Sequence, residues 1–492
     1  MFARLTLLAI SSAFIWIVAK CIYNVFFHPL RKYPGPLLAG ATRAYNLYWD
    51  VQGLSHWKAK ELHEKYGEAV RIAPDELSYT NGEAWPTIYG FANKDGTGNF
   101  EKDAQWWNKT ISGVENILTA DDAAHRRMRR LQNPAFSERA LKAQESVIAG
   151  YTSLLIKQLH GQASSPDTAI VDIVAWYSFI TFDAIGDLAF GEPFYCLRDA
   201  KWHWWISAIF DIFQAGTYLR AARRFPAPFF QMLLLFIPKR LLKTRHTQFQ
   251  FSVDRVNKRL EKDSERPDFM SFIVEANEEK GMSVEEMYVA SQVLISAGSE
   301  TTATALVGAT YLLLENPETF EQLKTEVRER FQEEKEITIQ STKELPYLNA
   351  VLEETLRLCP PGPGTFPRTV PMPGKMVCGQ FVPGGYSVGV HQLSTNRSPL
   401  NFTEPESFRP ERWLGNARFK DDKKSAMQPF SFGPRNCIGK NLAMAELRII
   451  ISRVIWNFDM KLPSESSGWL DRQKMYTTWK KDELKVELSS RL

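Results

Sequence analysis

The residues with the clearest chemical potential lie in one short segment, FSFGPRNCIG, which runs from Phe430 to Gly439. Its cysteine, Cys437, comes just before an apolar segment with helical spacing, NLAMAELRIIISRVIW. The free N–H groups at the start of a helix stabilise negative charge on a nearby sulfur. Gly433 permits a tight backbone turn, and Gly439 permits a close approach at the start of the helix. The segment therefore predicts a thiolate held against a large, flat, anionic group.

Two other side chains of the segment support this interpretation. Arg435, two residues before the cysteine, can hydrogen-bond an anionic group on the same cofactor. Phe430 is expected to pack beside the sulfur and to limit the access of water. A cysteine taken alone is usually a small hydrophobic residue, so the prediction depends on the whole combination.

The segment resembles the haem-binding signature of the cytochrome P450 monooxygenases, Phe-x-x-Gly-x-Arg-x-Cys-x-Gly, and it matches every fixed position. The resemblance implies that Cys437 is the metal ligand, its thiolate binding the iron of haem b on one axial side, and that O2 is the co-substrate. It also implies a mainly α fold with a small β-sheet region. In that fold the haem lies between a long central helix and the cysteine loop.

A second segment, AGSETT, covers residues 297–302 in the middle of a long apolar pattern. An acid and an alcohol are costly in such surroundings unless they find partners. The resemblance implies that Ala297 and Gly298 leave room for a diatomic ligand above a flat ring. It also implies that Thr301 and Glu300 relay protons to bound oxygen. The alternative is that Thr301 bonds back to its own helix while Glu300 lies at a solvated edge.

Basic residues complete the cofactor site that the resemblance implies. The segment HRRMRR resembles the basic helix beside the haem, and His125 and Arg129 are expected to reach the haem propionates. His125 stands where the family commonly has tryptophan. Arg368, in TFPRTV, matches another propionate-binding arginine. The remaining arginines of the basic segment are expected to face outward: Arg126, Arg127 and Arg130. They form either a solvated charge run or a docking surface for an acidic electron donor.

A structural cluster is also implied. Glu354 and Arg357, in EETLR, are three residues apart and share one helical face. Together with Arg412, in FRPERW, they resemble the Glu-Arg-Arg cluster that fixes the core around the haem in this family. Asn396 stands where relatives often have histidine, and the sequence predicts no function for it.

The N-terminal segment, from Leu5 to Phe27, is apolar and long enough to span a membrane once. Basic residues follow it, at Arg31 and Lys32, and this bias favours a cytosolic catalytic domain. A cleaved signal peptide is the alternative. Prolines then stop the helix. We therefore predict an anchor and hinge over residues 1–36, a single catalytic domain over residues 37–492, and residence in the endoplasmic reticulum membrane.

Composition narrows the class of partner. With 60 Lys and Arg against 56 Asp and Glu, the net charge is +4, which argues against a nucleic-acid-binding protein. The five cysteines are too scattered for a disulfide framework. There is no GxGxxG segment or phosphate-binding loop, so NADPH is expected to act only through a partner. That partner is NADPH-cytochrome P450 reductase, with cytochrome b5 as a further candidate.

Periodicity predicts the elements that position these residues. Apolar residues recur at helical spacing over residues 137–160, 168–190, 249–277, 284–316 and 343–358. Short alternating segments after residues 68 and 373 predict a small sheet. Residues 202–238 fit either an amphipathic core helix with an apolar loop or a second membrane-contacting surface near a substrate entrance.

The implied function is the oxidation of a lipophilic small molecule. The chain most resembles fungal microsomal members of the family that act in secondary metabolism, including the isotrichodermin C-15 hydroxylase-like group. A tailoring step is therefore expected. The alternatives are a haem-thiolate isomerase or dehydratase, whose members often lack the acid and threonine pair, and a non-catalytic haem-binding sensor. The substrate pocket is expected to be lined by the following residues: 297–302, Ile111 to Leu118, Thr365, Phe366 and 475–479.

Overall fold

Helices dominate the computed structural model of the chain, which describes residues 2–91, 99–107, 110, 112–163, 169–261, 268–275 and 281–491. The mainly α architecture with small β-sheets confirms the predicted fold class. The helices of the described residues are α1 (Phe2–Phe26), α2 (Leu37–Ala41), α3 (Ala44–Gln52), α4 (Ser55–Tyr66), α5 (Ala84–Tyr89), α6 (Asp122–Gln132), α7 (Glu138–Ala163), α8 (Ile173–Phe190), α9 (Cys196–Asp199), α10 (Trp204–Arg223), α11 (Ala227–Leu234), α12 (Lys239–Leu260), α13 (Phe269–Glu275), α14 (Val284–Glu315), α15 (Pro317–Arg330), α16 (Ile339–Lys343), α17 (Pro346–Leu358), α18 (Gln392–Asn396) and α19 (Lys440–Asn457).

The strands form small sheets at the edge of this helical body. They are β1 (Ala69–Ala73), β2 (Glu76–Tyr79), β3 (Glu101–Lys102), β4 (Ala169–Asp172), β5 (Arg368–Thr369), β6 (Gly374–Val377), β7 (Gln380–Pro383), β8 (Ser387–Val390), β9 (Phe458–Lys461), β10 (Lys474–Tyr476), β11 (Thr478–Lys480) and β12 (Lys485–Ser490). The largest sheet has the order β1-β2-β8-β5-β3. Within it, β2 and β8 run parallel and the other pairs run antiparallel. This sheet places Lys102 directly opposite Arg368.

Two helical predictions need correction. Residues 169–172 pair as strand β4 with β12, so the helix begins only at Ile173. The predicted helix over 249–277 is two helices, because α12 ends at Leu260 and α13 begins at Phe269. The Asp268 carboxylate accepts a hydrogen bond from the Ser271 N–H at 2.7 Å, which starts the second helix. Residues 168, 262–267 and 276–277 of these predictions lie outside the described residues.

The long helix α14 is the centre of the fold. It begins at a capping box, in which Ser283 and Glu286 each accept the other's backbone N–H. Its second half, from Thr302 to Leu314, is buried. It packs against α8, α12, α17 and α19. A stripe near its middle keeps accessible surface at Ala297, Gly298 and Thr301. This stripe is where a bound molecule can reach the helix.

Within the described part of the chain, two helices are long and apolar enough to cross a membrane. One is α8, which is almost completely buried in the core and so belongs to the globular body. The other is the segment Arg4–Phe26 of α1, which has no buried residue in its most apolar window. The end of α1 is attached to the body, since the Asn24 side chain donates to the Ala41 carbonyl at 2.9 Å. An exposed apolar helix of this length fits a membrane anchor.

The core-helix interpretation of residues 202–238 fits α10, the predicted apolar loop contains the helix α11, and the membrane-contacting surface stays a prediction. Helix α10 is a core helix at its start, where Trp205 and Ile206 are fully buried. The segment that follows is exposed instead of buried: Leu235 and Phe236 expose 84% and 77% of their surface. Apolar side chains this exposed are typical of a surface that meets a membrane or another apolar partner.

Candidate haem site

The Cys437 loop is held by its own backbone and by the neighbouring helix α5. The Cys437 N–H donates to the Phe430 carbonyl at 2.8 Å and closes the turn. Gly433 has a φ of 74°, and a Cβ at this position would lie 2.0 Å from the Tyr89 carbonyl oxygen. Only glycine fits both conditions. The Phe430 ring is partly buried and packs against the core, and its predicted contact with the sulfur stays a prediction.

The Cys437 side chain keeps accessible surface. Burial raises the pKa of its thiol, while the Gly439 N–H and the charges of Arg129 and Lys440 lower it. A thiol that is accessible and yet surrounded by protein faces an internal space. Coordination of a metal cation deprotonates such a thiol, and the amide and the two cations then stabilise the thiolate.

A cluster of basic side chains lies beside this loop: Lys102, His125, Arg368 and Arg435. We call it the basic cluster. Among the described residues the acid that faces it is Asp122, which pairs with Arg435 at 2.8 Å. Burial, reinforced by the neighbouring cations, lowers the pKa of Lys102 well below its usual value and that of His125 to about 4. The lowered pKa values mean that the cationic forms of these groups are destabilised while Asp122 is the one acid facing them among the described residues, and a bound anion would stabilise those forms.

Unused donors in the basic cluster indicate what it binds. The Nη1 atom of Arg435 is buried and has no hydrogen-bond partner. Arg368 is 8% exposed, and the described residues offer it only the Tyr89 ring, at 5.5 Å. Haem b carries two anionic propionates, and these match the missing acceptors in number and charge. The residues present thus fit a haem whose iron faces Cys437.

Arg129 reaches the cysteine loop, and its predicted contact with a haem propionate stays a prediction. Its guanidinium donates to the Asn436 carbonyl at 2.5 Å and to the Asn436 side chain at 3.0 Å. It therefore braces the cysteine loop from α6 and stands at the edge of the basic cluster. Lys102 was missed by the sequence analysis. It lies in a two-residue strand outside any motif, and only its pairing with Arg368 brings it to the site.

Thr301 bonds back to its own helix, since its Oγ1 donates to the Ala297 carbonyl at 2.6 Å. Its side chain nevertheless keeps accessible surface. The next residue, Thr302, hydrogen-bonds the Glu446 carboxyl of α19. This contact ties the middle of α14 to the helix that begins directly after the cysteine loop. The accessible stripe of α14 therefore lies close to the cofactor site.

Glu300 does not contact Thr301 and does not lie at a solvated edge. Its side chain is fully buried and forms an ion pair with Lys481. Thr304 donates to the same carboxylate at 3.3 Å. Burial raises the pKa of Glu300, and the Lys481 charge lowers it. The solvated-edge alternative is therefore wrong, and the relay of Glu300 with Thr301 stays a prediction.

The space available for a Cβ differs between two glycines of the site, Gly298 and Gly439. A Cβ at Gly298 would lie 2.8 Å from the Ile185 side chain on α8, so close helix packing requires glycine there. A Cβ at Gly439 would meet only Phe136 at 3.9 Å and the Cys437 sulfur at 4.0 Å. These are ordinary contacts. Protein packing alone does not require Gly439.

The Glu354, Arg357 and Arg412 side chains meet in the core and are fully buried. The Glu354 carboxylate accepts from Arg357 at 2.7 Å and from Arg412 at 3.0 Å. Arg412 also pairs with Asp422. Arg357 donates in addition to the backbone carbonyl of Asn396 at 2.8 Å. The cluster thus fastens α17 to the segment that leads toward the cysteine loop.

A separate cavity contains several of the residues expected around the substrate. We call it the α10 cavity. Its lining includes Thr365, Phe366, Met475 and Thr477, together with residues of α3, α4 and α10. Residues 297–302 do not line it, and Ile111 lies outside the described residues.

Of the three arginines of α6 that are expected to face outward, two do so and one does not. Arg126 and Arg130 are exposed and line a surface groove with His125 and Arg129. Arg127 does not face outward: it donates to the Gly281 carbonyl at 3.0 Å and pairs with Glu286. Its role is therefore to attach α6 to the start of α14.

A mainly α fold with an accessible loop thiol and a basic cluster for an anionic macrocycle defines a haem-thiolate protein. Comparison with known proteins agrees. The chain belongs to the cytochrome P450 family, whose model matches residues 40–488. The family binds haem iron through a cysteine thiolate, uses O2 and receives its electrons from a reductase.

Full-length fungal relatives are similar to the chain. Cytochrome P450 monooxygenase aclL of Aspergillus oryzae is 47% identical over 474 residues, which cover 96% of either chain. Cytochrome P450 monooxygenase astJ of the same organism is 43% identical and covers 97% of this chain and 95% of its own. Cytochrome P450 monooxygenase lcsI of Purpureocillium lilacinum is 43% identical, with 98% and 93% covered.

Proposed function

We propose that the chain is a haem-thiolate monooxygenase that oxidises a lipophilic small molecule with O2 and with electrons from an NADPH-dependent reductase. One observation carries the proposal: an accessible Cys437 thiol lies beside a basic cluster that has unused donors and too few acids. The bound haem supplies the oxygen-activating chemistry. The protein supplies the ligand, the charges and the surroundings.

The chain's own residues divide this work. Cys437 holds the iron, and Arg435, Arg368, His125 and Lys102 bind the propionates. Thr301 holds a proton at Oγ1, which is now shared with the Ala297 carbonyl and can be redirected because the side chain is accessible. Glu300 takes part only if it leaves Lys481, since the two are paired here.

The proposed biological role is a tailoring step in fungal secondary-metabolite biosynthesis. Support comes from the fungal relatives, which match the chain over nearly its full length. A lipophilic substrate agrees with the apolar part of the α10 cavity, where Leu47, Leu62 and Phe225 contribute to the lining. The isomerase alternative is disfavoured by the presence of Thr301 and Glu300, which such enzymes often lack.

The proposed location is the endoplasmic reticulum membrane, with residues 1–36 as anchor and hinge and residues 37–492 as a cytosolic catalytic domain. The exposed apolar surface of α1 supports this arrangement. The proposed electron donors are NADPH-cytochrome P450 reductase and cytochrome b5. The exposed groove with Arg126 and Arg130 is the surface that we assign to them.

The test is the optical spectrum of the dithionite-reduced, carbon monoxide-bound protein. We expect a thiolate-type Soret band for the wild type, its loss in Cys437→Ser and its retention in the control Cys378→Ser. A haem-loaded wild type without this band contradicts the proposal. Reconstitution with reductase then separates the alternatives, because an isomerase turns over without NADPH and O2, and a sensor consumes neither.

A further inference from the structure

Arg220, on α10, lines the α10 cavity and forms no ion pair among the described residues, although the charge of Asp50 acts on it. Its Nη2 donates to Thr217 Oγ1 at 2.8 Å and to Thr477 Oγ1 at 2.7 Å. Its guanidinium carbon lies 4.5 Å from the centroid of the Trp106 ring. These three neighbours fix the orientation of the guanidinium, and none of them neutralises its charge.

The other cations of the cavity lining are paired with acids. Arg224 contacts Asp103 at 2.7 Å. Arg43 contacts Asp75 at 2.6 Å and Glu76 at 2.9 Å, and Lys58 contacts Glu61 at 2.7 Å. Among the described residues of the lining, Arg220 is thus the cation without an ion pair. An isolated charge inside a protein is costly, so an unpaired one that faces a cavity indicates a missing anion.

Arg220 also has donors to spare. A guanidinium offers five N–H donors, and in the described residues only Nη2 finds acceptors. Neither Nε nor Nη1 of Arg220 has a hydrogen-bond acceptor among the described residues, and the side chain lines the cavity. Burial lowers the pKa of Arg220 to about 10, so the group stays positively charged at neutral pH.

We propose that the substrate carries a carboxylate and that the unused N–H donors of Arg220 bind it. This inference rests on the proposed function and adds the chemical class of the substrate. Arginine suits the role because its planar, permanently charged group matches a carboxylate. The apolar side chains around it, which include Leu62, Phe225 and Phe366, take up the lipophilic remainder.

Asp50 carries the opposite charge in the same cavity, so changing it should have the opposite effect on the binding of an acid. It lines the cavity, and its charge reaches Arg220 although the two form no ion pair. Burial raises the pKa of Asp50 to about 6, so it is mostly ionised at neutral pH and repels a bound carboxylate. Removing the Asp50 charge should therefore strengthen the binding of an acid, whereas removing the Arg220 charge should weaken it.

The experiment uses straight-chain carboxylic acids of eight to fourteen carbons and their methyl esters as probes. Their dissociation constants are measured on the haem-loaded enzyme by calorimetry and by the haem absorbance change. We expect at least one acid to bind the wild type about tenfold more tightly than its ester. Arg220→Gln should remove this preference and leave the ester affinity nearly unchanged, and Asp50→Asn should increase it. Arg240→Gln, an exposed arginine on α12, is the control.

Other outcomes overturn the inference. It is wrong if no acid binds more tightly than its ester, or if Arg220→Gln keeps the preference. Arg220→Lys retains the charge and is expected to keep part of the preference, which separates a charge effect from a folding defect. The carbon monoxide spectrum of each variant reports on the proposed function separately. A thiolate-type band without acid preference refutes the inference alone, whereas a wild type without that band refutes the proposed function.

Discussion

Glu300 and Lys481 form an ion pair in which both side chains are completely buried. Glu300 belongs to the middle of α14, and Lys481 follows the last residue of β11, 181 positions later in the chain. The lysine also donates to Thr304 at 2.8 Å, and the second carboxylate oxygen of Glu300 has no partner. The pair fastens the C-terminal region to the central helix next to the candidate oxygen site.

Breaking this pair should be strongly destabilising, since it leaves one charge buried and unpaired. We expect Lys481→Met to lower the free energy of unfolding by about 3–5 kcal/mol. The double variant Glu300→Gln with Lys481→Met should recover most of that loss, because no charge remains. Urea unfolding in detergent measures both. As a control, Lys335→Met removes an exposed ion pair with Glu333 and should change the free energy of unfolding by less than about 1 kcal/mol. Equal effects of the buried and exposed variants would contradict the prediction.

Thr301→Ala should uncouple NADPH consumption from product formation, because it removes the accessible hydroxyl of the α14 stripe. Stability should change little, since the one side-chain hydrogen bond of Thr301 among the described residues is that to the Ala297 carbonyl. The measurement is the ratio of product to NADPH consumed, with hydrogen peroxide as the alternative product. Ser299→Ala is a matched control, as it loses the same kind of bond, to Ile295, on a buried face. Unchanged coupling in Thr301→Ala counts against a proton role for this residue.

Glu446 should make stability depend on pH. Burial raises its pKa to about 8, and the Thr302 hydroxyl lowers it. Between its unfolded pKa and about 8 the folded state binds more protons than the unfolded state. Stability should therefore fall as the pH rises through this window, by up to about 1.4 kcal/mol per pH unit.

The variant Glu446→Gln tests this prediction. Its stability should fall less steeply with pH in the same window, because Asp50 and Asp183 still titrate there but Glu446 does not, so the variant should gain relative to the wild type from pH 5 to pH 8. Unfolding free energies at several pH values check this. Glu138→Gln, whose side chain is 81% exposed in the wild type, should follow the wild-type slope. Parallel slopes for Glu446→Gln and the wild type would exclude the buried acid as the cause.

Glu354→Gln should destabilise the core, because the neutral amide leaves the buried charge of Arg357 without its partner. The expected loss is about 3–5 kcal/mol, together with a fall in haem content. Glu353→Gln is the matched control, since Glu353 is the next residue on α17 and forms no ion pair within the described part of the chain. If both variants lose haem equally, the ion-pair cluster is not what fixes the core around the site.

Gly433→Ala and Gly439→Ala should differ in what they lose. The first forces a Cβ to within 2.0 Å of the Tyr89 carbonyl oxygen at a positive φ. We therefore expect it to distort the loop and to lower the stability of the folded state. The second meets only ordinary protein contacts, so we expect stability to be kept and haem retention to fall. Haem content per folded protein, set beside thermal unfolding, separates the two effects. Full haem retention in Gly439→Ala would show that the cofactor does not approach this position closely.

Much of the site could be predicted because its signals are local. The cysteine loop is one continuous segment, and the turn at Gly433 and the start of α19 follow from residues adjacent in sequence. The length of α14 and its capping box are local for the same reason, since helical periodicity needs no tertiary contact. Local patterns failed where partners are distant, as at β4, where Val171 pairs with Val486.

The sequence by itself determined the family and the mainly α fold, and it predicted the cysteine ligand and the apolar N-terminal segment, because each depends on residue types and spacing that are local in the chain. Only the tertiary structure decided which charges meet. It paired Glu300 with Lys481, placed Lys102 beside Arg368 and turned Arg127 toward Glu286. The same packing left Arg220 without an acid in its cavity. Charge pairing acts over a few ångströms in space, and beyond the spacing of one helical turn the distance between two residues in sequence does not predict it.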